Sequence, residues 1–195
     1  FKGIWLNSNV PGYENLLPKY HIIEVTLPFG RTVRVGFLAV VMHDPATYRR
    51  VPFAGLAVEN ANETALKMGQ WLLNEQNCCC VIAMTHQFIN DDRQLAAGQP
   101  GRMFAVIVGG HEHVPFLENT GITWITKSGS DSTHAAIIDL VWPEQLDSTK
   151  NSGLDWPSVT IVHEPVSTYT ERQDLRELVD SHMASVRELT QATLL

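Results

Sequence analysis

Residues 104–113 read Phe-Ala-Val-Ile-Val-Gly-Gly-His-Glu-His, and residues 78–86 read Cys-Cys-Cys-Val-Ile-Ala-Met-Thr-His. Each is a short apolar run that stops abruptly at histidine. A run of that length with no polar alternation suits a strand covered on both faces, as in a parallel sheet flanked by helices. In such sheets ligands gather at the carboxyl ends of the strands, where loops from several strands converge. If the two strands are parallel neighbours, His86, His111 and His113 meet at one point. In extended backbone, positions 111 and 113 turn both rings to one side and Glu112 to the other. The two glycines before His111 permit a sharp turn. A single histidine at a strand end is ordinarily a satisfied polar residue. Two such endings point to a ligand set, because neutral imidazole is the commonest protein ligand for zinc-like metals. His21, His163 and His182 read as structural. His43 and His134 lie near strand ends and are the remaining candidates to approach the site.

Outward from these strands the chain alternates strand and helix, which argues for an α/β architecture. Tyr-His-Ile-Ile-Glu-Val-Thr-Leu (20–27) and Thr-Val-Arg-Val-Gly-Phe-Leu-Ala-Val-Val (32–41) flank Pro28-Phe29-Gly30, a hairpin signature. A loop with Pro45 and Pro52 follows, then apolar residues at helical spacing from Asn60 to Gln76, and a short helix over Asp91 to Ala97. Two further strands are expected near 122–127 and 135–142, a polar surface loop over Pro143 to Pro157, and a strand near 158–163. Glu171 to about Thr193 reads as a helix. Thr170 and Gln173 form a capping box there, and Leu175, Leu178, Val179, His182, Met183, Val186 and Leu189 form one apolar stripe.

Composition narrows the classes. The 195 residues are 44% hydrophobic and 18% charged with a net charge of −7, which fits one soluble globular domain and gives no basic stripe for nucleic-acid phosphates. No run approaches the length of a membrane span. The chain begins at Phe1 with no leader-like segment. Cys78, Cys79 and Cys80 are adjacent, cannot readily bridge one another, and read as buried free thiols. They favour a reducing compartment, whereas the Asn62-Glu63-Thr64 sequon favours the opposite, so localisation stays unassigned.

The histidine-bearing pair resembles a family pattern. In calcineurin-like metallophosphoesterases one strand runs into a histidine and the next into Gly-His-x-His, as Ala83-Met84-Thr85-His86 and Val108-Gly109-Gly110-His111-Glu112-His113 do here. The chain is similar to the 5'-nucleotidase branch in further detail. Asp91, Asp92, Leu95 and Ala96 follow the first histidine. Phe1 to Val10 match an opening that ends in Asn9-Val10, and Arg34 to Val41 match a glycine-containing apolar strand. Ile122 to Val141 match two strands around a glycine turn at Gly129.

The resemblance implies a four-layer α/β/β/α sandwich of which residues 1–165 are the C-terminal half, with 166–195 the start of a linker helix towards a further domain. It implies hydrolysis of a small-molecule phosphate ester, with a nucleotide as the expected substrate, at two divalent metal ions. His86 and His111 would ligate one metal and His113 the other. The metals would be Zn, Mn, Fe or Co, which imidazoles do not discriminate. The family's Asp-x-His, Gly-Asp and Gly-Asn-His motifs, the last with the histidine that acts as general acid, are missing ahead of His86. The resemblance places them upstream of Phe1. This chain alone is therefore expected to hold at most one weak metal site, to be inactive, and to associate with the absent half or with itself. The rival readings are a catalytically inactive binding or scaffold module that keeps the fold, and a single-metal histidine enzyme of another family.

Overall fold

The computed structural model describes residues 2–144 and 156–191. Its main sheet has six strands in the order β1-β2-β3-β4-β6-β5. The β1 (Tyr20–Thr26) and β2 (Thr32–Val41) strands form the expected hairpin, with Gly30 at φ 84° in its turn. From β2 inward the sheet is parallel: β2 pairs with β3 (Cys80–His86), β3 with β4 (Phe104–Gly109), and β4 with β6 (Trp124–Ser128). The two histidine-terminated strands are thus parallel neighbours. Sequence reading did not foresee β5 (Pro115–Asn119), which lies outside β6 and runs antiparallel to it. Its polar alternation and exposed edge position hide the apolar signal a buried strand carries.

The sheet is covered on both faces, which explains its uninterrupted apolar strands. One face packs against α1 (Ala61–Asn74) and α2 (Ile89–Gly98) through Leu38, Val40, Ala65, Leu72, Val81, Leu95, Phe104, Ile107 and Ile125. The other face packs against a two-stranded sheet, β7 (His134–Val141) and β8 (Ser158–Pro165), through Val35, Cys80, Ala105, Val106, Trp142 and Ile161. The described residues thus make three layers, α/β/β, of the four expected. The adjacent thiols divide between those faces and are free and buried, as their sequence setting required.

The N-terminal segment is tied in by Asn9, which is fully buried. Its side chain accepts from Val41 N at 3.0 Å and donates to Val41 O and Glu59 O at 2.8 and 2.9 Å. Asn60 caps α1 by accepting from Glu63 N at 3.0 Å, so the helix begins where the sequence indicated.

The last helix, α3 (Gln173–Gln191), starts later than expected. Gln173 donates to Glu177 at 3.1 Å, one helical turn on, so the Thr170–Gln173 capping box does not form. The stripe from Leu175 to Val186 is exposed. Phe1, residues 145–155 of the expected loop, the Leu189 side chain and the helix end near Thr193 lie outside the described residues.

Candidate functional site at the carboxyl ends of β3, β4 and β6

The parallel strands deliver their carboxyl ends to one place. His86 ends β3, and the turn after β4 carries His111, Glu112 and His113. The His86 and His111 rings stand edge-to-face with centroids 5.5 Å apart, and Phe88 packs against His111 at 4.4 Å. His113 is exposed on the outer part of the turn, close enough for its charge to act on His86. Burial holds the His86 imidazole below its usual pKa, and the charges of His111 and Lys127 add to that. His86 therefore favours the neutral form a metal ligand needs. Among the described residues no three His, Cys, Asp or Glu side chains form a closed ligand cage. Of the three proposed histidines, the ring contact joins His86 and His111.

Backbone geometry departs from expectation at the glycines. His111 itself takes the left-handed conformation, at φ 81°, while neither Gly109 nor Gly110 has positive φ. The turn is bent, not extended, so rings 111 and 113 are not placed by strand alternation. The glycines serve close approach instead. A Cβ on Gly110 would lie 2.9 Å from His86 Nδ1. One on Gly109 would lie 2.8 Å from Lys127 Cε and 2.9 Å from Asp92 Oδ2.

Beneath the histidines lies a charged cluster that sequence reading missed. Lys127, on the helix-facing side of β6, is 1% exposed. A lysine so deeply buried requires partners. Its ammonium donates to Gln87 O at 2.7 Å, to Gly110 O at 2.7 Å and to Glu112 Oε2. Those bonds use its three N–H donors. Asp92 Oδ2 stands 2.9 Å away as an ion contact without a hydrogen bond of its own. Asp92 Oδ1 accepts from Thr85 Oγ1 at 2.6 Å and Gln87 Nε2 at 3.1 Å. Glu112 Oε1 accepts from Ile89 N at 2.6 Å. Burial raises the Asp92 carboxyl above its ordinary pKa, against the pull of Thr85 and Lys127. For the more exposed Glu112, burial is outweighed by bonds from Lys127 and Ile89 N, and its carboxyl is held low. The available signal was Lys127 itself, a cation in the strand Trp-Ile-Thr-Lys-Ser.

The other histidines have other employment. His43 accepts from Ala61 N at 3.5 Å at the start of α1, His134 contacts Thr133, and His163 shares a 2.7 Å hydrogen bond with Thr126. An Asp-x-His does occur downstream, Asp180-Ser181-His182. It lies on exposed α3, where Asp180 pairs with Arg176 at 3.3 Å, and it is no part of this site.

No family model matches the sequence, and no curated protein matches it. Solved structures match its shape. A calcineurin-like phosphoesterase from Bacillus subtilis, YfkN, superposes with a TM-score of 0.74 at 18% identity, over 97% of this chain and 65% of that one. The fold is that of the calcineurin-like phosphoesterases. A second structure with this fold, the sulfate thiohydrolase SoxB of Thermus thermophilus, gives 0.74 at 16% identity over 96% of this chain and 33% of its own. The NAD nucleotidase of Haemophilus influenzae gives 0.61 at 15% identity over 85% and 31%. This chain thus spans less than two thirds of the length of each of these three structures.

Proposed function

We propose that this chain forms part of a metal-dependent phosphoester hydrolase, 5'-nucleotidase-like, and that His86, His111 and His113 are its contribution to the metal centre. The observation that carries the reading is the His86–His111 pair. With metal–nitrogen bonds of about 2.0–2.1 Å, two imidazoles on one ion put their ring centres roughly 5 Å apart, and these stand at 5.5 Å. Both lie at the carboxyl ends of adjacent parallel strands, His86 as the last residue of β3 and His111 in the turn after β4, where α/β sheets bind ligands. When bound, divalent metals would lower the pKa of a water and polarise the phosphoryl oxygens. The chain's own residues favour the neutral form of His86 and set the separation of the His86–His111 pair. Carboxylate ligands and a general acid would come from outside the chain. The nucleotide substrate rests on likeness to structures such as the NAD nucleotidase, and remains part of the proposal.

The test is metal binding by the full-length protein followed by hydrolysis of p-nitrophenyl phosphate with added manganese or zinc. His111→Ala is expected to remove most of the turnover and to weaken binding. Metal-free turnover indifferent to His86→Ala and His111→Ala would overturn the reading. A folded protein with neither binding nor turnover would favour the inactive binding module.

A further inference from the structure

The histidine pair belongs to two separate segments, His86 to the end of β3 and His111 to the turn after β4, and nothing in the imidazoles themselves holds those segments together. One main-chain bond joins them directly, Gly110 N to Thr85 O at 2.8 Å, and the remaining connection is made underneath. Lys127 reaches from β6 below Gly109 and donates to a carbonyl on each segment, Gln87 O beside His86 and Gly110 O beside His111. Its ion pairs repeat the pattern, with Asp92 bonded to Thr85 and Gln87 on the first segment and Glu112 on the second. Glu112 Oε1 then returns to Ile89 N, which closes the bracket from the other side. The lysine and Asp92 are 1% and 0% exposed, so solvent does not compete for these contacts.

We propose that Lys127 is a positioning residue for the histidine pair, clipping the segment that follows His86 at the end of β3 to the turn that carries His111 so that both imidazoles stand at the spacing one metal ion requires. This rests on the metal-site reading above. Groups behind metal ligands commonly set ligand orientation, and their loss weakens metal affinity about 10- to 100-fold. Here the clip acts through main-chain carbonyls on both segments. A hydrophobic replacement of the same length keeps the volume and loses the bracket. The Gly109 contact leaves no spare room, so a bulkier cation is no substitute.

The experiment titrates the full-length protein with Co2+ alone, read by visible absorption, with a melting curve for every variant. Lys127→Met should weaken Co2+ binding about 10- to 100-fold, but it also strands two carboxylates and lowers the melting temperature. The variant that separates the roles is K127M/D92N/E112Q, which leaves no unbalanced charge and keeps acceptors for Thr85 and Ile89. Recovery of the melting temperature with Co2+ affinity still weakened is the expected result. Recovery of both would mean that Lys127 only neutralises buried carboxylates, and would overturn the inference. If the triple variant does not fold, E112Q carries the test. Weakened Co2+ affinity at an unchanged melting temperature supports the clip, and unchanged affinity overturns it. Wild-type protein that takes up no Co2+, indistinguishable from H86A/H111A, would overturn the metal-site reading and this inference with it.

Discussion

Gly110 shows how far one missing methyl group reaches. A Cβ there would meet His86 Nδ1 at 2.9 Å, closer than real Cβ contacts come, and would push the ring off its seat beside His111. Gly110→Ala is expected to weaken metal binding at least tenfold while leaving the melting temperature within a few degrees, checked by calorimetry and thermal unfolding. Lys127→Ala is the opposite case. It leaves Asp92 and Glu112 facing each other uncompensated, and breaking a buried pair in this way costs about 3–5 kcal/mol, which a urea titration reads directly. His163 supplies a pH dependence. Burial and the charge of His134 hold its imidazole below the usual value. Its folded pKa lies below its unfolded one, so between the two the unfolded chain binds more protons. Stability should therefore level off above about pH 6.5 and fall as pH drops below it. His163→Gln should flatten part of that slope, and His86, shifted the same way, keeps the rest.

At the scale of elements, much of the architecture was legible. The apolar runs ending at His86 and His111 are parallel neighbours because only strands covered on both faces tolerate that composition. The Pro28-Phe29-Gly30 turn and the Asn60 cap were equally readable, since each rests on local backbone chemistry. Replacing Asn60 with alanine should cost about 1 kcal/mol, seen as a lower urea midpoint. The misses have physical causes. The β5 strand lies at an edge and lacks a continuous apolar signature. The left-handed backbone falls on His111, because the preceding glycines are needed for space and not for turning. The cluster around Lys127 was invisible because its members are far apart in sequence and meet only when three strands align. Of the proposed ligands, His86 and His111 were legible by position, whereas placing His113 by strand alternation failed with the bend at that turn.

For the whole molecule, the span of the chain matters most. It covers 65% of the Bacillus phosphoesterase and about a third of the longer folds, and its described layers are α/β/β. The imidazoles carry no negative charge to balance a pair of cations. The 195-residue chain by itself is thus expected to bind no more than one divalent ion, weakly, and to turn over no aryl phosphate above background. Supplying a segment with Asp-x-His, Gly-Asp and Gly-Asn-His, fused or as a separate chain, should bring binding to two ions and restore hydrolysis. Two tight sites on the chain alone, or robust turnover lost in His86→Ala, would show that it builds a working centre unaided.

The order β4-β6-β5 has a consequence in time. The chain leaves β4, passes over the position β6 will occupy, lays down the outer strand first and only then returns to fill the gap. Strands β5 and β6 are close in sequence and can pair as a hairpin within about 1–10 μs. The parallel pairing of β6 with β4 requires a larger closure and is intrinsically slower. The crossing segment from Gly110 to Val114 therefore settles last, when the hairpin docks and carries Lys127 under it. In pulse-labelled hydrogen exchange during refolding, amides bonded within the β5–β6 ladder should gain protection before those of Ile89 and Gly110, which bond across the two histidine segments. The site would then be the last part of this fold to exist and the first to be lost.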